Sequence, residues 1–195
     1  LFKNLVKYKG AYDRMIIEKL LPQEVEDKIE KLIMNPGFIW QWNSEQIIPT
    51  TPDPYTSQFT HVIFYGGAIR SHYFALVNSI VGYFLQKTKY KLKRIARIKV
   101  NLIPNLVHNE QSLINMNHTD LEPAAVGNYI SAVYYVADSD GDTVVYEADK
   151  ETIKLSVPPI KGNCVYFDAK NVWHRSNIPI HNKRRVVINF VLEVE

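Results

Sequence analysis

At 195 residues, with 46% hydrophobic and 22% charged side chains, the chain has the make-up of one ordinary globular domain that can bury a core without staples. A single cysteine, Cys164, and no run of 18 apolar residues exclude an intrachain disulfide framework, a thiolate metal cluster and a membrane-spanning helix. The net charge of +3 is too mild to mark a nucleic-acid or membrane partner by itself. The first residue is Leu rather than Met, so a trimmed or processed chain is expected, and with one cysteine and no long apolar run in residues 1–10 to mark a signal peptide, a reducing cytoplasm is the expected setting.

Residues 20–35 carry Leu20, Leu21, Val25, Ile29, Leu32 and Ile33 at helical spacing, with Pro22 near the start and Pro36-Gly37 at the end. This spacing predicts an amphipathic helix. The aromatic stretch from Phe38 to Asn43 predicts a strand on which Trp40 and Trp42 share a face, and Pro49, Pro52 and Pro54 then impose an irregular loop. Residues 58–65 alternate as a strand closed by Gly66-Gly67. Ser71 is placed to cap a helix running to Gln86, whose stripe is Phe74, Leu76, Val77, Ile80, Val81 and Phe84.

Residues 87–99 concentrate basic side chains without an acid. Such a run can track phosphates, but a solvated helix end entering a strand with outward charges is the favoured reading. From Arg94 the period becomes that of strands, at 96–103, 129–136, 143–147, 153–157, 163–167 and 184–193. Pro104, Asp138 to Gly141, Pro158-Pro159 and Gly162 separate them. Two helices followed by six strands predict a mostly β protein with flanking helices (α+β), a double-stranded β-helix or jelly-roll barrel. Residues 1–93 would form the helical and aromatic support and 94–195 the jelly-roll core of a single domain.

His118 and Asp120 lie two apart, just before the 129–136 strand, so in extended backbone both side chains point the same way. His174 follows 54 residues later, just after another strand. Two imidazoles and a carboxylate on one octahedral face leave three positions for a bidentate cosubstrate and oxygen, and without thiolate they suit Fe(II), although Mn(II), Co(II), Ni(II) or Zn(II) could also occupy them. A bare H-x-D also occurs in chains that bind no metal, and the triplet alone leaves both readings open. Arg185, 11 residues beyond His174, opens a strand whose alternation sets Arg185, Val187, Asn189 and Val191 on one side. An arginine there offers a planar fork to a carboxylate at the far end of a pocket, whereas Arg184 faces the other way.

In order along the chain come Arg97 to Pro104, His118-Thr-Asp120, Ala132-Val-Tyr-Tyr-Val136, Asp140-Gly-Asp-Thr143, Asn163 to Asp168, His174-Arg-Ser176 and Arg185-Val-Val-Ile-Asn189. Over roughly residues 95–195 this succession resembles the iron(II)- and 2-oxoglutarate-dependent dioxygenases of the prolyl-hydroxylase-like superfamily, in the style of the small phage and marine-microbial enzymes. The resemblance implies that His118, Asp120 and His174 bind Fe(II). It further implies that Arg185 binds the distal carboxylate of 2-oxoglutarate, assisted by Tyr135, and that Asn101 lines the cosubstrate pocket. The implied activity consumes O2 and hydroxylates a C–H bond of a peptide prolyl or other amino-acid residue, or of a small molecule. Asp120 argues against halogenation, which needs that coordination position free.

Two other readings stand beside it: a nucleic-acid modifying oxygenase, supported only by the 87–99 run, and a non-catalytic metal-binding jelly roll. His61, His72, His108 and His181 are not expected to be ligands, and Cys164 is expected to pack as a small apolar residue. Trp173 adjoins His174. Residues 47–57 and 105–117 are the candidate substrate loops. Oligomeric state is not legible from these features.

Overall fold

The computed structural model describes residues 15–43, 58–105 and 117–195. The Pro-rich loop, most of the 105–117 segment and His108 lie outside the described residues. Among the described residues two helices, α1 (Gln23–Ile33) and α2 (Phe74–Thr88), accompany eleven strands. The larger sheet follows the order β1 (Ile16–Ile17), β9 (Cys164–Asp168), β6 (Asn128–Tyr135), β11 (Arg184–Val194), β5 (Leu92–Pro104), β3 (Gln58–Tyr65) and β2 (Gln41–Asn43), and β4 (Ala68–Ile69) pairs with β3. The smaller sheet is β10 (His174–Ser176), β7 (Thr143–Tyr146) and β8 (Ile153–Val157). Every pairing is antiparallel. No helix among the described residues is long and apolar enough to cross a membrane.

Strand alternation divides the larger sheet between two cores. Ala132 and Tyr134 of β6, Cys164 of β9, and Ile188, Phe190 and Leu192 of β11 pack outward with Ile29 and Ile33 of α1 and Ile80 and Phe84 of α2. Val133 and Tyr135, Val165 and Phe167, and Val187 point the other way, onto Val145, Leu155 and Val157 of the smaller sheet. With both faces covered, β11 is buried at every position after Arg184. This is why its sequence reads as a nearly unbroken apolar run. Of the polar residues that interrupt the run, Arg185 and Asn189 are on the inner side with Val187, where they mark a site rather than a surface, and Glu193 pairs with Lys93 and Arg94.

Several boundaries move for local reasons. Helix α1 starts at Gln23 rather than Leu20, because Pro22 takes the capping position with extended backbone, φ −59° and ψ 145°. Ser71 does not cap α2. The capping position is Tyr73, whose N–H donates to Ser71 Oγ at 3.2 Å, and the helix runs from Phe74 to a left-handed Lys89 at φ 65°. The aromatic strand shrinks to Gln41–Asn43, and the two tryptophans part company. Trp40 packs edge-on against Phe38 at the helix-sheet core, whereas Trp42 is 56% exposed against Phe59. The basic run is also not uniformly outward. Lys93 and Arg94 are exposed and pair with Glu193, but Arg97 and Lys99 turn into a cavity on the inner side of the sheet. Register breaks between Val191 and Leu192 and between Glu193 and Val194 leave Ala96 and Lys93 without a register partner on β11, so simple alternation does not carry across this part of β5.

Candidate metal centre

His118 and His174 are joined backbone to backbone. Each N–H donates to the other's carbonyl oxygen at 2.9 Å, forming an isolated antiparallel bridge. His174 therefore does not trail a strand, as its spacing suggested; it opens β10, whose pairing with β7 holds it in place. The two rings sit 4.4 Å apart, and Asp120, two residues on, brings its carboxylate to the same spot. One ligand atom from each of His118, Asp120 and His174 lies within 4.8 Å of the others, close enough for a single ion. His174 Nδ1 lies 3.2 Å from the Val172 carbonyl oxygen. A proton on Nδ1 satisfies that contact and leaves the Nε2 lone pair, 3.6 Å from Asp120 Oδ2, for a metal.

Charge is arranged to suit a cation. Burial, with His118 close by, pushes the His174 pKa down to about 4, so the ring is a neutral donor at physiological pH. Burial alone would raise the Asp120 carboxyl, but Arg97 above all, then the two histidines and the Ser131 hydroxyl, hold it well below the usual carboxylate range. Arg97 Nη2 donates to Asp120 Oδ1 at 2.5 Å and to Asn189 Oδ1 at 2.9 Å. Asn189 Nδ2 reaches Asp120 Oδ2 at 3.3 Å and Ser131 Oγ at 3.2 Å, and Ser131 Oγ itself donates to Asp120 Oδ2. Three neighbours thus orient one carboxylate. Arg97, Ser131 and Asn189 were not among the site residues drawn from sequence. Their signal was positional: Ser131 shares the inner face with Val133 and Tyr135, and Asn189 shares it with Arg185.

A cavity of about 480 Å³ opens beside the triad, and Arg185 and Asn101 line it together with His118, Asp120 and His174. Arg185 is 3% exposed, yet makes no ion pair among the described residues. Its Nε donates to the Gly141 carbonyl at 2.7 Å and its Nη2 to Thr143 Oγ1 at 2.7 Å. Tyr135 lies behind this pair rather than on the cavity wall, and its hydroxyl donates to the same Thr143 oxygen at 2.8 Å. A buried guanidinium held only by neutral acceptors still seeks an anion. The turn that supplies these acceptors is closely built. A Cβ on Gly141 would lie 2.6 Å from the Asn177 carbonyl oxygen and 3.0 Å from Arg185 Cδ. Asp140 accepts the backbone N–H groups of Ile180, His181 and Asn182, anchoring the approach to β11. Asn101 Oδ1 is buried without a hydrogen-bond partner among the described residues.

The other described histidines stay apart from the centre. His61 bridges the Ile39 carbonyl and Ser71 Oγ, His72 lies tilted against Tyr73, and His181 is exposed. Cys164 is fully buried in the helix-sheet core. Trp173 faces the Lys150 ammonium, 4.2 Å from its ring centre.

No protein-family model matches the chain, and no curated protein matches it in sequence. Solved structures do match its fold. An oxidoreductase of the 2OG-Fe(II) oxygenase family from Burkholderia pseudomallei aligns over 91% of this chain and 84% of its own, with a TM-score of 0.67 and 12% identity. A prolyl hydroxylase from Trichoplax adhaerens, solved with a hypoxia-inducible-factor peptide, covers 91% and 82% at a TM-score of 0.62 and 14% identity. SnoN, a non-heme alpha-ketoglutarate-dependent epimerase from nogalamycin biosynthesis, covers 93% and 80% at 0.61 and 12%. The chain is similar to these proteins over nearly its whole length and has the jelly-roll fold of the 2OG-Fe(II) oxygenases.

Proposed function

We propose that this chain is a single-domain Fe(II)- and 2-oxoglutarate-dependent dioxygenase that hydroxylates a C–H bond of a peptide prolyl residue, another amino-acid residue or a small molecule. One observation carries the reading: three ligand side chains and a buried, anion-seeking arginine line the same cavity. The donor set fits the metal, since two imidazoles and one carboxylate, without thiolate, suit Fe(II) and offer ligand atoms within 4.8 Å of one another. Similarity to a prolyl hydroxylase solved with a peptide fragment and to an epimerase of nogalamycin biosynthesis is compatible with either kind of substrate.

When bound, Fe(II), 2-oxoglutarate and O2 supply oxidative decarboxylation to succinate and CO2 coupled to insertion of one oxygen atom into a substrate C–H bond. The protein's own part is positioning and charge. His118, Asp120 and His174 hold the metal, and Arg97, Ser131 and Asn189 keep the Asp120 carboxylate ionised and oriented. Arg185 receives the distal carboxylate of 2-oxoglutarate in its planar fork, with Thr143 fixing the guanidinium and Tyr135 fixing Thr143. Asn101 contributes to the wall of the cosubstrate pocket. The inner-facing Arg97 and Lys99 break up the basic run, so it no longer supplies the outward stripe on which a nucleic-acid substrate rested.

Succinate release from 2-oxoglutarate with added Fe(II) is the direct test. Wild type should release succinate and Asp120→Ala should not. Wild-type protein that binds neither Fe(II) nor 2-oxoglutarate would overturn the proposal.

A further inference from the structure

Strand β5 carries a cation that this mechanism leaves unused. Lys99 stands between Arg97 and Asn101 on the inner face and lines the cavity, and it forms no ion pair among the described residues. Its register partner on β11 is Asn189, the residue that touches Asp120, whereas Arg185 pairs with Ile103. Four residues of strand, about 13 Å, separate the two levels. Lys99 therefore belongs to the metal end of the cavity, where a substrate must present its C–H bond, and not to the end where Arg185 takes a carboxylate. Burial, and secondarily Arg97, lower the Lys99 pKa to about 8, which leaves the ammonium charged at neutral pH but poorly solvated.

The charge balance of the wall points the same way. Arg97, Lys99, Arg175 and Arg185 line it against Asp120 and Glu122. A divalent metal and the 2-oxoglutarate dianion cancel, so the described residues of the loaded cavity keep an excess of two cations. Arg175 adds a buried Nε without a hydrogen-bond partner among the described residues.

We infer that the prime substrate is a small molecule bearing a free carboxylate, such as an amino acid, and that Lys99 anchors this carboxylate beside the metal. The inference rests on the dioxygenase reading and narrows it, since an internal prolyl residue of a peptide has no such group. A cavity of this size that also holds 2-oxoglutarate leaves room for a molecule of amino-acid dimensions.

The test measures calorimetric binding to full-length protein loaded with Mn(II) and 2-oxoglutarate, and stimulation of succinate release by the Fe(II) form. The probes are the free L-amino acids and their C-terminal amides. At least one free acid should bind and stimulate, with its amide about tenfold weaker. Lys99→Met should weaken the acid about tenfold and leave the amide unchanged, and Lys99→Arg should restore much of the loss. The affinity of Lys99→Met for 2-oxoglutarate should stay near that of wild type.

Equal response to acid and amide would overturn the inference, as would stimulation confined to capped peptides or oligonucleotides, or no response to any free acid. A large loss of 2-oxoglutarate affinity in Lys99→Met would also overturn it, because Lys99 would then be a cosubstrate anchor. In each of these outcomes the wild type still turns over 2-oxoglutarate, and the dioxygenase reading survives. Wild type that releases no succinate at all would remove that reading and this inference together.

Discussion

Arg97 lends its guanidinium to Asp120, the one anionic member of the triad, across a 2.5 Å contact from β5. A cation beside a metal ligand has two opposed effects: it repels the incoming ion, and it keeps protons off the carboxylate. They separate by pH, since repulsion acts at every pH whereas proton competition appears only on acidification. In Arg97→Met the Asp120 pKa should rise, because burial is then less opposed. Between pH 7.5 and pH 5 this variant should lose about tenfold more Mn(II) affinity than wild type does. Parallel affinity curves for the two proteins would show that Arg97 does not govern the ionisation of Asp120.

Thr143 Oγ1 receives both the Arg185 guanidinium and the Tyr135 hydroxyl. Arg185→Gln should therefore weaken 2-oxoglutarate binding by at least about a hundredfold, while Tyr135→Phe, which removes only the outer support, should raise the KM for 2-oxoglutarate by about threefold to tenfold with little change in kcat. Titration of 2-oxoglutarate into the Mn(II) form of each variant checks the order. If Tyr135→Phe were as damaging as Arg185→Gln, the tyrosine would have to contact the cosubstrate itself.

What could be read in the sequence follows from how directly each signal is coupled to burial. Arg185 stood out because it interrupts a segment otherwise patterned for a sheet interior, and His118, Asp120 and His174 because their residue types and spacing suit one ion. The inner faces of β6 and β11 followed from period-two alternation. The register breaks of β5 at Ala96 and Lys93 did not, because an extra residue changes the phase of a strand without altering its composition. For that reason the 87–99 run read as an outward stripe, although Arg97 and Lys99 enter the cavity. Ser71 offered a good capping side chain, yet its oxygen is engaged with His61 and with the Tyr73 N–H, and α2 starts later. Tertiary contacts had the last word over a local preference.

His174 gives the metal-free protein a pH signature. Its folded-state pKa, about 4, lies below the ordinary histidine value of 6.5. The unfolded chain therefore binds this proton first as pH falls. Stability linked to the neutral ring is complete above about pH 6.5 and is lost as pH drops towards 4, by up to about 3 kcal/mol. After chelation of metal, the Tm of wild type should fall across this window, and His174→Gln should flatten that part of the curve. A Tm profile that His174→Gln leaves unchanged would assign the acid sensitivity to other groups.

Tyr134 is fully buried in the helix-sheet core, and its hydroxyl has no hydrogen-bond partner among the described residues. Its neighbour Tyr135, on the opposite face of β6, is equally buried but donates to Thr143. Removing a hydroxyl has opposite consequences at the two positions. In Tyr135→Phe a satisfied oxygen is deleted and a hydrogen bond is lost, which should cost about 1 kcal/mol. In Tyr134→Phe the ring keeps its packing and an unmatched polar atom leaves the core, so stability should hold or rise by up to about 1 kcal/mol. Urea unfolding of the two variants beside wild type, read as midpoints at constant slope, distinguishes them. A Tyr134→Phe midpoint as low as that of Tyr135→Phe would mean that the Tyr134 hydroxyl is bonded after all, for instance to an enclosed water molecule.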